Sequence, residues 1–127
     1  MPAYRRIISF LHDYNVKNIV VDSDGDVRLL LPLWLEAGVT SVLPFEVKAG
    51  MDIVELGEVY PDFCLIGGID KRALMHGEDA IDAELSRILP AMAKRGRYIA
   101  SLDHWVPEYI PLANFVYYVE KVQSFTI

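Results

Sequence analysis

A single cysteine, Cys64, is all the thiol this 127-residue chain carries. No internal disulfide can form, and the reducing cytoplasm is the expected compartment. Long apolar runs are also missing. A membrane-spanning helix needs roughly 18 or more consecutive apolar residues, none occurs, and no membrane partner is expected. The opening "MPAYRRIISF" lacks the apolar centre and cleavage site of a signal peptide. Positive charge is scarce: 12 Lys and Arg face 18 Asp and Glu, a net of −6. That balance argues against nucleic acid as a partner. Low-complexity tracts, linkers and internal repeats are absent, so the whole chain, residues 1–127, reads as a single domain or part of one.

Apolar residues are abundant, at 53%, which suffices for a packed core. Four apolar runs stand out: "NIVVD" (18–22), "SVLPFE" (41–46), "CLIGGID" (64–70) and "YIASLDH" (98–104). They are nearly continuous rather than alternating, which predicts parallel strands buried on both faces. Helical patterns separate them. Residues 3–14 place Ile7, Ile8 and Leu11 on one face. "VRLLLPLWLEAG" is expected to be capped by Asp26, bent by Pro32 and stopped by Gly38. "GMDIVELGEVY" puts Met51, Val54 and Val59 on a shared side. "EDAIDAELSRILPAMAKRG" carries the stripe Ile81, Leu85, Ile88 and Met92, with a kink expected at Pro90. "PLANFVYYVEKV" starts with Pro111 in its first turn. Cys64 falls early in its strand and reads as a small core hydrophobe. His12 and His76 read as solvated. The order is α-β-α-β-α-β-α-β-α, a series of βα units.

"IVVDSDGDVR" places Asp22, Asp24 and Asp26 just after the first run. An EF-hand is excluded, because the twelfth position from Asp22 is Leu33, which has no side-chain oxygen. The other runs also end in acids: Glu46, Asp70, and Asp103 beside His104. In parallel α/β folds the C-terminal strand ends share one face, where the active site lies. The acids are therefore expected to rim a common, acidic cleft. Capping of the following helices is the alternative for each, Asp70 included. His104 suits proton transfer. Glu46 reads as base, ligand or polar wall. Gly67 and Gly68 permit either a close approach to a ligand or a tight bend. Lys48, Lys71 and Arg72 could meet a carboxylate substrate or neutralise their acidic neighbours. Trp105 and Tyr109 line the cleft or pack in the core.

Three stretches, "EAGVTSVLPFEVKAGMD", "YPDFCLIGGIDKRAL" and "GRYIASLDHWVPEYIPLANFVYYVEKV", resemble the C-terminal half of the uroporphyrinogen decarboxylase family, which includes corrinoid-dependent methyltransferases. The resemblance implies half of a TIM (β/α)8 barrel, four parallel strands with flanking helices. It implies a small-molecule substrate, and decarboxylation or methyl transfer by full-length relatives. The opening resembles a mid-barrel helix. The family's N-terminal arginine-rich loop and key aspartate have no counterpart here, which sets against the enzyme a rival reading: a truncated or split, non-catalytic assembly partner. By resemblance the site comprises His104, Asp70 and Glu46 as catalytic groups, and Gly67, Gly68, Lys71, Arg72 and Trp105 at the substrate. Asp22, Asp24 and His104 match the zinc ligands of the methyltransferase branch. With no thiolate among them, they suit a harder divalent metal such as Mn²⁺ or Fe²⁺. Four strands of a barrel also leave open edges and an apolar inner face. A homo-oligomer, with a dimer favoured, is expected.

Overall fold

The structure, a computed structural model, describes residues 1–126. Its elements run α1 (Pro2–Asp13), β1 (Val20–Ser23), α2 (Leu31–Ala37), β2 (Ser41–Pro44), α3 (Ile53–Val59), β3 (Cys64–Ile66), α4 (Glu78–Arg95), β4 (Tyr98–Ile99) and α5 (Leu112–Ser124). Two 3₁₀ turns, Val47–Ala49 and Lys71–Met75, follow β2 and β3. The strands form one parallel sheet in the order β1-β2-β3-β4. An isolated parallel bridge, Ile69 to Leu102, extends the last pairing towards the C-terminal ends. This is half of a (β/α)8 barrel.

The helices cover one face of the sheet. Val42 and Leu65 face them and are fully buried, in register with Val21 and Tyr98. The α4 stripe of Ile81, Leu85, Ile88 and Met92 packs into this core, joined by Leu89. Each such side chain contributes about 1.5–3 kcal/mol on burial. Pro90 lies inside α4, which continues past it to Arg95.

The opposite face corrects the expectation of strands buried on both sides. Val20 and Ile99 are 47% and 54% exposed. Cys64 is partly exposed and lies in register with Val20, so it is not fully within the core. The apolar runs were continuous because the strands belong to a barrel wall, whose inner side is filled by side chains from a closed ring of strands. Among the described residues, the four strands leave that side uncovered at Val20 and Ile99.

Two helix starts also differ from expectation. Asp26 does not cap α2. Its carboxylate accepts from the Arg28 backbone N–H at 3.1 Å and from the Arg28 guanidinium, and those bonds hold its pKa down at about 2. The helix begins at Leu31, with Pro32 in its first turn rather than at a bend. Proline lacks an N–H and has a helical φ already, so it favours that place. α3 begins after Asp52, which accepts from Val54 and Glu55 N–H at 2.8 and 3.1 Å. Its buried face is therefore Ile53, Leu56 and Gly57, and Val59 is exposed. Gly38, at φ 100, ends α2 as expected.

Candidate functional site

The strands end on one side of the sheet, and four loops leave from there. They are tied to one another. Glu46 accepts from the Gly25 N–H at 3.2 Å, joining the loops after β1 and β2. Asp103, completely buried after β4, accepts from the Val47 N–H at 2.9 Å and the Lys71 N–H at 3.1 Å. Its two oxygens also each lie 3.3 Å from the Lys71 ammonium. The carboxylate thus binds the loops after β2 and β3 to the end of β4. His104, the next residue, places Nε2 3.5 Å from Asp24 Oδ1 in the β1 loop.

These loops enclose an open cleft of about 360 Å³. Its charged wall is Glu46, Lys48, Lys71, Arg72 and His104. Its apolar and aromatic wall is Met75, Trp105, Pro107 and Tyr109. Trp105 and Tyr109 are both mostly exposed, so they line the cleft rather than fill the core. Five of the expected site residues meet here: Glu46, Lys71, Arg72, His104 and Trp105.

The expected acidic mouth is not what the cleft presents. Asp103 turns inward to backbone N–H groups. Asp70 caps the 3₁₀ turn by accepting from the Arg72 N–H at 2.9 Å, and it clasps the Arg72 guanidinium through both oxygens. Burial alone would raise the Asp70 carboxyl, but the Arg72 bonds outweigh it and hold the pKa below the ordinary value. Asp70 faces a separate depression with His76, Glu84 and Arg87. A carboxylate at a strand end accepts readily from nearby loop N–H groups, and that geometry draws these acids out of the cleft. What faces the cleft is mainly cationic and aromatic.

Gly67 and Gly68 serve packing rather than access. Both are buried, with φ of 104° and 74°. A Cβ on Gly67 would lie 2.3 Å from the Pro44 carbonyl oxygen, and one on Gly68 would lie 2.5 Å from Ile53 Cβ. The alternative of a tight, crowded bend is therefore the one observed.

The expected metal set is not assembled. Asp24 and His104 meet, but Asp22 lies in β1 opposite Leu43. Among the described residues, no three His, Cys, Asp or Glu side chains form a group able to hold a metal ion. The donors present do not fit a divalent metal centre. His12 and His76 are exposed, as expected.

The sequence reading missed Asp103 as the hub of this region. Its signal was present: a carboxylate inside an apolar strand-end run, directly before the candidate histidine. Met75 and Pro107 were also missed, and no spacing rule pointed to them.

A parallel β/α half-barrel with a side-chain-lined cleft at its strand C-termini belongs to the barrel class whose chemistry sits on that face. Residues 1–125 match the family uroporphyrinogen decarboxylase (URO-D), and the chain belongs to that family. Among curated proteins, none matches it. Among the described residues, no helix is long and apolar enough to cross a membrane.

Proposed function

We propose that the cleft binds a flat, carboxylate-bearing small molecule and that His104 exchanges a proton with it, within a uroporphyrinogen decarboxylase-like site. The observation that supports this most is the lining itself. Lys48, Lys71 and Arg72 supply positive charge, and Trp105 and Tyr109 supply flat apolar surface. Cations near a carboxylate hold it through charge-assisted bonds, and aromatic rings favour a planar ligand. Decarboxylation leaves an electron pair on carbon after CO₂ departs, and an imidazolium at His104 would return the proton. Glu46 is the acidic group at the same wall and orients the β1 loop through Gly25. The reading extends to family chemistry, decarboxylation of a tetrapyrrole or corrinoid-linked methyl transfer, in the cytoplasm.

The test is titration of the protein with coproporphyrin, a carboxylated tetrapyrrole, followed by amide chemical shifts. Shifts confined to residues 46–48, 71–75 and 104–109, and lost in Lys71→Met, support the reading. Shifts scattered over the surface, or none at millimolar ligand, contradict it.

A second reading is an assembly partner without activity of its own. It is favoured by the uncovered sheet face, where Val20 and Ile99 stand exposed, and by the free edges of β1 and β4. Unpaired edges recruit further strands. A homodimer, or a larger oligomer, at micromolar concentration is the expected form. Light scattering that finds a monomer across that range rules it out.

A further inference from the structure

We infer that Asp103 is a positioning residue that holds the Lys71 ammonium as a fixed donor at the cleft. The inference rests on the cleft reading above and names a residue that reading does not use. An ammonium has three N–H donors. The nitrogen lies 3.3 Å from each Asp103 oxygen, which engages at most two of them. The third has no protein partner among the described residues, and Lys71 lines the cleft. The lysine side chain is 14% exposed and the Asp103 side chain 1%, so the charge is held near the floor rather than swinging in solvent. Asp103 also accepts from the Lys71 and Val47 backbone N–H groups. One carboxylate therefore fixes both ends of Lys71 and the start of the neighbouring loop.

The two other cations of the wall differ in how they are held. Arg72 is clasped by Asp70, a partly exposed pair at the edge. Lys48 is exposed and makes no ion pair among the described residues. Lys71 alone combines burial, a buried counter-charge and an uncommitted donor. Restricting a long side chain in advance removes an ordering cost from ligand binding, so a ligand oxygen meets a donor already in place.

The test is competitive amine labelling with acetic anhydride, read by mass spectrometry on the full chain. In the unaltered protein Lys71 should label at least about tenfold more slowly than Lys48. In Asp103→Asn, Lys71 should approach the Lys48 rate while Lys17 and Lys94 keep theirs, which separates local release from unfolding. Lys71 labelling as fast as Lys48 in the unaltered protein overturns the inference. So does slow labelling that persists in Asp103→Asn. Should that variant not fold, amide hydrogen exchange in the unaltered protein decides: Val47 and Lys71 should exchange at least about tenfold more slowly than unprotected amides. Exchange at the unprotected rate overturns the inference.

Citrate titration keeps the cleft reading separate. If Asp103 acts through Lys71, Asp103→Asn weakens citrate binding in the natural background and adds nothing in Lys71→Met. Equal weakening in both backgrounds overturns the inference. If citrate fails to bind while the labelling result holds, the anion-cleft reading falls and the positioning role stands.

Discussion

Two charges, Arg95 partly buried and Asp103 fully buried, hold the two ends of this sheet, and they do so in opposite ways. At the N-terminal ends of β3 and β4, Arg95 donates Nε to the Gly57 carbonyl at 2.9 Å. Its Nη1 donates to Gly96 and Arg97 at 2.8 and 3.0 Å. Its Nη2 donates to Tyr60 and to Phe63, the latter at 2.6 Å. All five guanidinium donors are spent on protein carbonyls. At the C-terminal ends, Asp103 gathers N–H groups instead and leaves a lysine donor over. The first arrangement is closed and can only stabilise. The second keeps a group in reserve facing a cleft. That division matches the general rule for parallel barrels, in which the C-terminal face carries chemistry and the opposite face carries stability.

The comparison is broken most severely at Arg95. Replacing it with Met leaves five carbonyls without their donor and should cost roughly 3–4 kcal/mol, since bonds to charged groups are worth more than neutral ones. Urea unfolding measures the loss. Citrate binding by the fraction that stays folded should be unchanged, because Arg95 lies at the other end of the sheet.

Crowding at the C-terminal end gives the next effect. Gly67→Ala sets a Cβ 2.3 Å from a backbone oxygen at a positive φ. The strain should cost about 2–3 kcal/mol, in the range of special backbone positions. A thermal melt indistinguishable from that of the unaltered protein would show that the bend is looser than described.

A smaller effect concerns acid. The Asp70 carboxyl is held below its ordinary value of 3.8. A group whose folded pKa is depressed contributes stability above its unfolded pKa, and that contribution is lost as pH falls through the folded pKa. Stability should therefore decline as pH drops below about 3.8. The decline should be shallower in Asp70→Asn. Equal slopes in the two proteins would remove the Asp70–Arg72 clasp from the account.

The smallest expected effect is none at all. With only Asp24 and His104 paired, millimolar Mn²⁺ should leave the melting temperature in place. A rise that Asp24→Asn abolishes would restore a metal site.

Much of this fold was legible in the sequence because the pattern and the physics agreed. The α4 stripe at Ile81, Leu85, Ile88 and Met92 is set by helical spacing alone, and all four are buried. Gly38 ends its helix because the cap needs a positive φ. The strand runs also named the loops that form the cleft, so His104, Glu46 and Trp105 could be placed on one side. The orientation of the acids was not legible. Asp70 and Asp103 sit at the expected strand ends, yet whether a carboxylate faces a cleft or turns back to loop N–H groups depends on tertiary distances that spacing does not encode. The same limit hid the role of Gly67, since Pro44, the residue it packs against, lies on a different strand. The uncovered inner face was expected from the half-barrel resemblance, not from the runs themselves. A continuous apolar run reads alike whether helices or the opposite wall of a barrel should cover it.

The central claim is that the cleft at the C-terminal face presents mainly cations, with Asp103 buried beneath it and Asp70 held by Arg72. Amide chemical-shift mapping with citrate and with Mn²⁺, titrated separately, tests it most directly. The account predicts that citrate shifts Lys48, Lys71, Arg72, His104 and Trp105, more weakly as salt rises, while Mn²⁺ broadens none of them selectively. Selective broadening of those residues by Mn²⁺, with no response to citrate, would contradict it.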